Sequence, residues 1–233
     1  MRLLAGLIIA TVLVALFHRA IRCVPWLFYV LAIALDALLI VGSSYQMPSW
    51  FREYFMFMLQ SNNLAMGLFT MVMFAGVLED HSKIKKALLL VRAEISIIAS
   101  VLCVGHIVIY AQSYLSQAMN SIASMPLMRV CAILVALVLV FLLVPLVVTS
   151  FKPVRAHMSQ QGWKRLQRLA YPFYGLVFVH ILFFLLPPAL AGSLSATVNV
   201  VLYLVLGLTY LVLRLRFHRK TQYLADFAPT AEP

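Results

Sequence analysis

Seven long apolar segments, nearly free of charge, run through this chain of 233 residues. One helix needs about 20 apolar residues to cross a bilayer core about 30 Å thick. The segments are continuously apolar and do not alternate, which disfavours a transmembrane β-barrel. We therefore predict an all-α fold, a polytopic membrane bundle of seven transmembrane helices. The segments lie at about residues 3–17, 25–43, 62–78, 94–114, 128–149, 169–186 and 195–213.

The composition excludes the main classes of soluble protein. Hydrophobic residues make up 64% of the chain and charged residues 11%, whereas a soluble domain is nearer half apolar and a quarter charged. Neither a GxGxxG nor a GxxxxGK[ST] motif occurs, so the sequence shows no dinucleotide or P-loop site of its own. The three cysteines form no CxxC or CxxCH motif, which excludes covalent attachment of a c-type heme.

The basic residues predict the orientation of the chain. Fifteen of the 18 lysines and arginines fall in 18–24, 79–93, 150–168 and the tail after residue 213, which share one side of a seven-span chain. Cytoplasmic loops carry such an excess of positive charge. The net charge of +11 therefore indicates a membrane edge and no nucleic acid partner. We expect a multi-pass protein of the inner or plasma membrane, with its N-terminus outside and its C-terminus in the cytoplasm.

The same segments define the domain organisation. Residues 1–24 form an additional N-terminal helix and a basic loop, 25–213 the membrane domain, and 214–233 a cytoplasmic tail. The first apolar segment is short and follows Arg2, as in a signal peptide. No clear A-x-A cleavage site follows it, so an uncleaved helix is the favoured interpretation.

Two histidines, His106 and His180, lie inside predicted spans, whereas the other four lie in loops or at helix ends. An ionisable residue inside the membrane is costly and is a functional hypothesis by default. His106 follows Glu94 by twelve residues and His180 follows Leu169 by eleven. At 1.5 Å per residue both lie roughly 17–18 Å from the inner edge of the membrane. The two imidazoles are therefore predicted at matching depth.

A depth-matched pair of imidazoles suits a bis-histidine b-type heme, in which the iron takes one nitrogen on each face. Zinc would need three or four ligands, and no third candidate lies at that depth. Gly105 is expected to leave room for the macrocycle. Asp36, at about the same depth, could accept a hydrogen bond from a ligand imidazole, line a proton path, or bond to another helix. Metal ligands are thus predicted at His106 and His180, with Asp36 behind them.

Two longer stretches carry a family resemblance. Residues 92–110, RAEISIIASVLCVGHIVIY, and 149–184, TSFKPVRAHMSQQGWKRLQRLAYPFYGLVFVHILFF, resemble signatures of ferric-reductase-like transmembrane proteins, in particular the heme-binding membrane subunits of periplasmic methionine sulfoxide reductase systems. The resemblance runs from about residue 60 to 213, and its most specific part is 163–180. Family members have six helices, so the first helix here is an addition to a six-helix core.

The resemblance implies an oxidoreductase subunit that needs a partner. Electrons would pass from a cytoplasmic flavoprotein or a membrane quinol, through heme b, to ferric iron or an extracytoplasmic redox partner. FMN or FAD on the cytoplasmic side is the further cofactor that it implies. His106 and His180 fall on heme-ligand positions, and Arg168 lies inside the motif, where it could hold a heme propionate or a flavin phosphate. Ala93 and Gln167 stand where related proteins bind a second heme, so one heme is expected, on the outer side of the membrane.

An alternative from another class remains open at this point. A cofactor-free transporter or scaffold subunit could use Asp36, His106 and His180 as a proton or ion site. No inverted repeat and no pair of broken helices stands out in the sequence to support it.

Overall fold

A computed structural model describes residues 2–44, 48–79, 81–121 and 125–226, which contain helices and turns and no strand. The predicted all-α bundle is therefore confirmed. Residues 227–233 of the predicted tail lie outside the described residues. The α-helices are α1 (Arg2–Cys23), α2 (Pro25–Ser44), α3 (Phe57–Gln60), α4 (Asn63–Ala75), α5 (Lys83–Ser121), α6 (Leu127–Val148), α7 (Lys152–Ala156), α8 (Gln160–Gln167), α9 (Ala170–Leu190) and α10 (Leu194–Asp226), with a π-helical turn at Phe51–Met56 before α3.

Within the described residues, six helical segments are long and apolar enough to cross a membrane, and α8 and α9 together form one of them. The third predicted span is shorter than expected, because it consists of α4, an apolar helix of 13 residues. At 1.5 Å per residue α4 is about 20 Å long and does not span a bilayer core of about 30 Å by itself. The chain is a multi-pass membrane protein, and its described residues form six full-length spans and one shorter apolar helix, α4.

A backbone turn at Ser61–Asn62 prevents α4 from continuing the helix before it. Asn62 adopts a left-handed conformation, with φ 58° and ψ 22°, and separates α3 from α4. Non-helical backbone inside a membrane is tolerated only where protein surrounds it. Packing of α1 and α5 against α4 meets this condition, and most of the α4 side chains are buried. The turn is thus held at membrane depth among other helices.

The helices form two packed groups that meet at α4 and α9. In the first group, α1 and α5 pack on α4, and α2 packs on α5; in the second, α6 and α10 pack on α9. The groups join where the Phe69 ring contacts Phe173 at 5.3 Å and the Thr70 hydroxyl lies 3.0 Å from the Tyr174 hydroxyl. Helices α5 and α9 pack little against each other directly. Side chains, and not closely packed backbones, therefore occupy the region between these two helices.

Helices α1 and α4 approach closely enough to require glycine. A Cβ atom on Gly67 would lie 2.6 Å from the Gly6 carbonyl oxygen and 2.8 Å from the Ala10 Cβ. Small residues allow membrane helices to gain packing contacts of this kind. Helix α1 is therefore packed tightly onto α4.

We predict that Gly67→Ala destabilises the protein by about 1–3 kcal/mol, the usual cost of forcing extra atoms into a packed core. Gly175→Ala is the control, since no heavy atom lies within 4 Å of a Cβ placed there. Thermal unfolding of the detergent-purified variants would measure both effects. Equal unfolding temperatures for Gly67→Ala and the unsubstituted protein would contradict the close approach of α1 and α4.

Candidate functional site

Both membrane-embedded histidines use Nδ1 in a hydrogen bond with a backbone carbonyl. His106 Nδ1 lies 2.7 Å from the Gln60 oxygen, and His180 Nδ1 lies 3.0 Å from the Ala132 oxygen. A carbonyl can only accept, so in each neutral ring Nδ1 carries the proton and Nε2 keeps its lone pair. Among the described residues, no hydrogen bond reaches either Nε2. Each imidazole is therefore held in the tautomer that can bind a metal through Nε2.

The Gln60 carbonyl is available to His106 because the helix breaks beside it. In a continuous helix this oxygen would accept from the backbone N–H four residues later. Since α3 ends at Gln60, no backbone N–H of the described chain bonds to the Gln60 oxygen. The Ser61–Asn62 turn thus supplies the hydrogen-bond acceptor that orients His106.

The two imidazoles are linked through side chains of α5 and α9. A run of ring contacts connects them: His106 to Tyr110 at 4.7 Å, Tyr110 to Tyr114 at 5.8 Å, Tyr114 to Phe184 at 6.3 Å, and Phe184 to His180 at 5.2 Å. A continuous run of ring contacts thus joins His106 on α5 to His180 on α9.

The hydrogen bonding of the two imidazoles is compatible with a pair of metal ligands. A bis-histidine heme site needs two neutral imidazoles in a largely apolar space. In each, one ring nitrogen is unprotonated, and the other donates a hydrogen bond. The described residues contain no group of three or more His, Cys, Asp and Glu side chains placed to share one ion. A heme held there would have the two imidazoles of His106 and His180 as its protein ligands.

Asp36 reaches the backbone beside His106. Its Oδ2 accepts from the Gly105 N–H at 3.0 Å, whereas the His106 Nδ1 bonds to Gln60. The carboxylate is only 6% exposed, and Oδ1 has no hydrogen-bond partner. A Cβ at Gly105 would lie 2.6 Å from this Oδ1. The space beside Gly105 is therefore filled by Asp36.

A cavity of about 280 Å³ lies at the level of Ala93 and Gln167, toward the starts of α5 and α9. This size is near the lower end of known small-molecule sites. The Gln167 side chain is fixed at the wall, because its Nε2 donates to the Thr149 hydroxyl at 3.0 Å. The lining residues are Phe69, Val72, Met73, Leu89, Arg92, Ala93, Ser96, Ser100, Leu143, Leu146, Ser150, Arg155, Trp163, Gln167, Ala170, Phe173 and Tyr174.

Two arginines give this apolar cavity a positive edge. The Arg155 guanidinium stacks on the Trp163 ring at 4.1 Å, and the Trp163 indole N–H donates to the Thr149 oxygen at 3.0 Å. Arg92 lies on the opposite helix, α5, and the nearby Glu94 is paired with Lys152 at 3.4 Å. Arg168 is exposed at the end of α8 and does not line the cavity. The edge suits an anionic or carbonyl-rich group.

Sequence patterns could not identify every residue of this site. The Gln60 and Ala132 carbonyls are backbone groups, which residue type does not reveal. The polar run Ser61–Asn62–Asn63 is typical of a turn and was the one available signal for the break before α4. This signal was overlooked because the polar run coincides with the start of the predicted apolar span, at residue 62.

Comparison with known proteins gives two matches. Residues 63–178 match the family described as ferric reductase like transmembrane component. Over 218 residues, 93% of this chain, the sequence is 36% identical to an uncharacterized protein of Treponema pallidum (strain Nichols), and the match covers 60% of that protein. No solved structure matches the chain. The family match contains His106 and ends just before His180.

We predict that Gly105→Ala destabilises the protein by about 1–3 kcal/mol, because the new methyl group would meet the Asp36 carboxylate. In a chain that also carries Asp36→Ala, the same substitution should cost less, since the obstructing atoms are gone. Thermal unfolding of the four proteins in detergent measures this coupling. Strictly additive effects would show that Asp36 does not occupy the space beside Gly105.

Proposed function

Residues 63–178 belong to the ferric reductase-like transmembrane components, and we propose that this chain is a membrane electron-transfer protein with one b-type heme bound by His106 and His180. The observation that supports this most is the shared state of the two imidazoles. Each donates from Nδ1 to a carbonyl, and each has its Nε2 free of described hydrogen bonds. A heme bound there supplies one-electron redox chemistry within the membrane.

The chain's own groups would determine the properties of that center. The Gln60 and Ala132 carbonyls orient the rings and increase the basicity of the ligands. Tyr110, Tyr114 and Phe184 exclude water from the region between α5 and α9. The Asp36 carboxylate keeps α2 attached to α5 beside His106. These contacts hold both imidazoles in place before and after electron transfer.

The cavity beside Ala93 and Gln167 is the proposed entry point for electrons. Its apolar walls suit a flat redox-active ring, such as the headgroup of a membrane quinol or the ring of FMN or FAD. Arg92 and Arg155 would bind a phosphate or carbonyl edge of that ring, and Arg168 could contact a phosphate from outside the cavity. The positive charge of this end indicates the cytoplasmic side, where a flavoprotein could dock.

The electron acceptor would bind at the end of the bundle opposite the cavity. Ferric iron or an extracytoplasmic redox protein would receive the electron there, and the chain would act as the membrane subunit of an oxidoreductase in an inner or plasma membrane. The chain spans about 60% of the length of the relative it matches. The donor, the acceptor and the reaction of any complete assembly are part of this proposal.

The alternative of a transporter or scaffold with an ion site receives less support. It requires Asp36, His106 and His180 to act together on one proton or ion. Asp36 instead bonds to the Gly105 backbone, and each imidazole bonds to a different carbonyl. No described hydrogen bond links the three side chains, so the electron-transfer proposal is favoured.

The heme proposal predicts a sharp α-band in the absorption spectrum of the purified, dithionite-reduced protein, as expected for six-coordinate iron. His106→Ala and His180→Ala should each abolish that band, because each removes an axial nitrogen. His157→Ala is the matched control, since His157 is exposed near the end of α7. A band missing from the unsubstituted protein, or kept in both ligand variants, would refute the proposal.

The entry-site proposal predicts that Ala93→Trp, which fills the cavity, slows heme reduction by reduced flavin or quinol at least roughly tenfold, the equivalent of about 1.4 kcal/mol. Dithionite should still reduce the heme fully. Leu90→Trp is the matched control, because Leu90 is exposed on the same helix and does not line the cavity. Stopped-flow absorbance measures the rates with each donor. Equal rates in the two variants would exclude the cavity as the entry point.

A further inference from the structure

The turn between α3 and α4 contacts α5 at two points, and only one of them is His106. Gln60 contributes its carbonyl to the His106 Nδ1 at 2.7 Å. Two residues later, the Asn62 amide Nδ2 lies 3.1 Å from the Cys103 Sγ and donates to it. Cys103 precedes His106 by three residues, so the two contacts lie on adjacent positions of the same helical face. The turn is therefore attached to the face of α5 that carries the histidine.

The backbone of Asn62 is part of this attachment. Asn62 is the one residue other than glycine with a positive φ among the described residues. Asparagine enters the left-handed region more readily than most residues, because its short polar side chain can form local hydrogen bonds. Its N–H donates to the Leu59 oxygen at 2.9 Å, and its own oxygen accepts from the Met66 N–H at 2.9 Å. One residue thus ends α3, begins α4 and binds α5.

We propose that Asn62 is a positioning residue for His106. Its bond to Cys103 holds the turn so that the Gln60 carbonyl stays in line with the Nδ1–H. This inference rests on the proposed role of His106 as a heme ligand. Without the bond, the turn would lose its attachment to Cys103 on α5, and the hydrogen bond between His106 and the Gln60 carbonyl would lengthen or fluctuate. This change would alter the basicity of the His106 imidazole.

The two axial ligands would then differ in how they are supported. The acceptor for His180 is the Ala132 carbonyl, which lies within α6 and is fixed by the helix itself. The acceptor for His106 lies in a turn and depends on a side chain. A stronger bond from Nδ1–H makes an imidazole more basic and stabilises ferric iron. Asn62 is therefore expected to keep the reduction potential of the heme low.

The first variant is Asn62→Gly, because glycine accepts the left-handed backbone while the amide is removed. Heme should remain bound, and its midpoint potential should rise. Loss of an outer hydrogen bond to a metal ligand commonly changes metal affinity or activity by 10- to 100-fold. We expect a shift of about tenfold in the ratio of ferrous to ferric heme, about 59 mV for one electron. A spectroelectrochemical titration measures this shift.

Two variants at Cys103 test the other end of the hydrogen bond between Asn62 and Cys103. Cys103→Ala removes the acceptor and should raise the potential in the same direction, whereas Cys103→Ser keeps an acceptor and should remain near the unsubstituted value. Asn62→Gly combined with Cys103→Ala should shift the potential no further than the larger single effect, because both remove one interaction. Cys23→Ala, at an exposed cysteine, is the control without an effect. If Asn62→Gly fails to fold, the comparison of Cys103→Ala with Cys103→Ser tests the proposal instead.

The outcomes separate this inference from the heme proposal. If the protein binds heme and neither Asn62→Gly nor Cys103→Ala changes its reduction potential, the proposed role of Asn62 is overturned. The proposal that His106 and His180 bind the heme would be unaffected. Additive shifts in the double variant would also overturn the role of Asn62, since the two side chains would then act separately. An unsubstituted protein without heme would overturn both proposals.

Discussion

Inside a membrane, a polar group without a partner is expensive, and this cost determines how the two histidines are held. Water is not available there to bond Nδ1–H, so the chain must provide an acceptor. Both acceptors are backbone carbonyls, at Gln60 and Ala132. A carbonyl accepts and never donates, and each ring is therefore restricted to one tautomer. The same two bonds that stabilise the buried imidazoles leave their Nε2 atoms suited to iron.

The short α4 follows from the same requirement. A continuous helix through residues 57–75 would use the Gln60 oxygen in its own ladder of hydrogen bonds. Ending α3 at Gln60 leaves this oxygen free, and the left-handed Asn62 restarts the helix at Asn63. The polar groups exposed by the break are shielded by α1 and α5. The close contact between Gly6 and Gly67 is thus part of what allows a broken helix at this depth.

The sequence was informative where residue type alone decides the outcome. Continuous apolar segments predicted the helices, and the equal depths of His106 and His180 along their spans remain a prediction. The interpretation of Gly105 shows the limit. Its missing side chain indicated free space, but no local pattern could show that Asp36 on α2 fills that space. The length of α4 was also missed, because hydropathy measures composition: the helix ends at Ala75, whereas the apolar segment continues to residue 78.

The cavity at Ala93 and Gln167 lies where related proteins bind a second heme, which bears on how the one heme proposed here would receive electrons. At 1.5 Å per residue, Ala93 and His106 are about 20 Å apart along α5. Alanine at 93 provides volume in place of a metal ligand, and the Gln167 side chain is tied to Thr149. In the proposed function, a donor ring that enters the cavity would lie where related proteins bind a second heme. Ala93 and Gln167 would then change the source of the electron and leave the proposed ligands His106 and His180 intact.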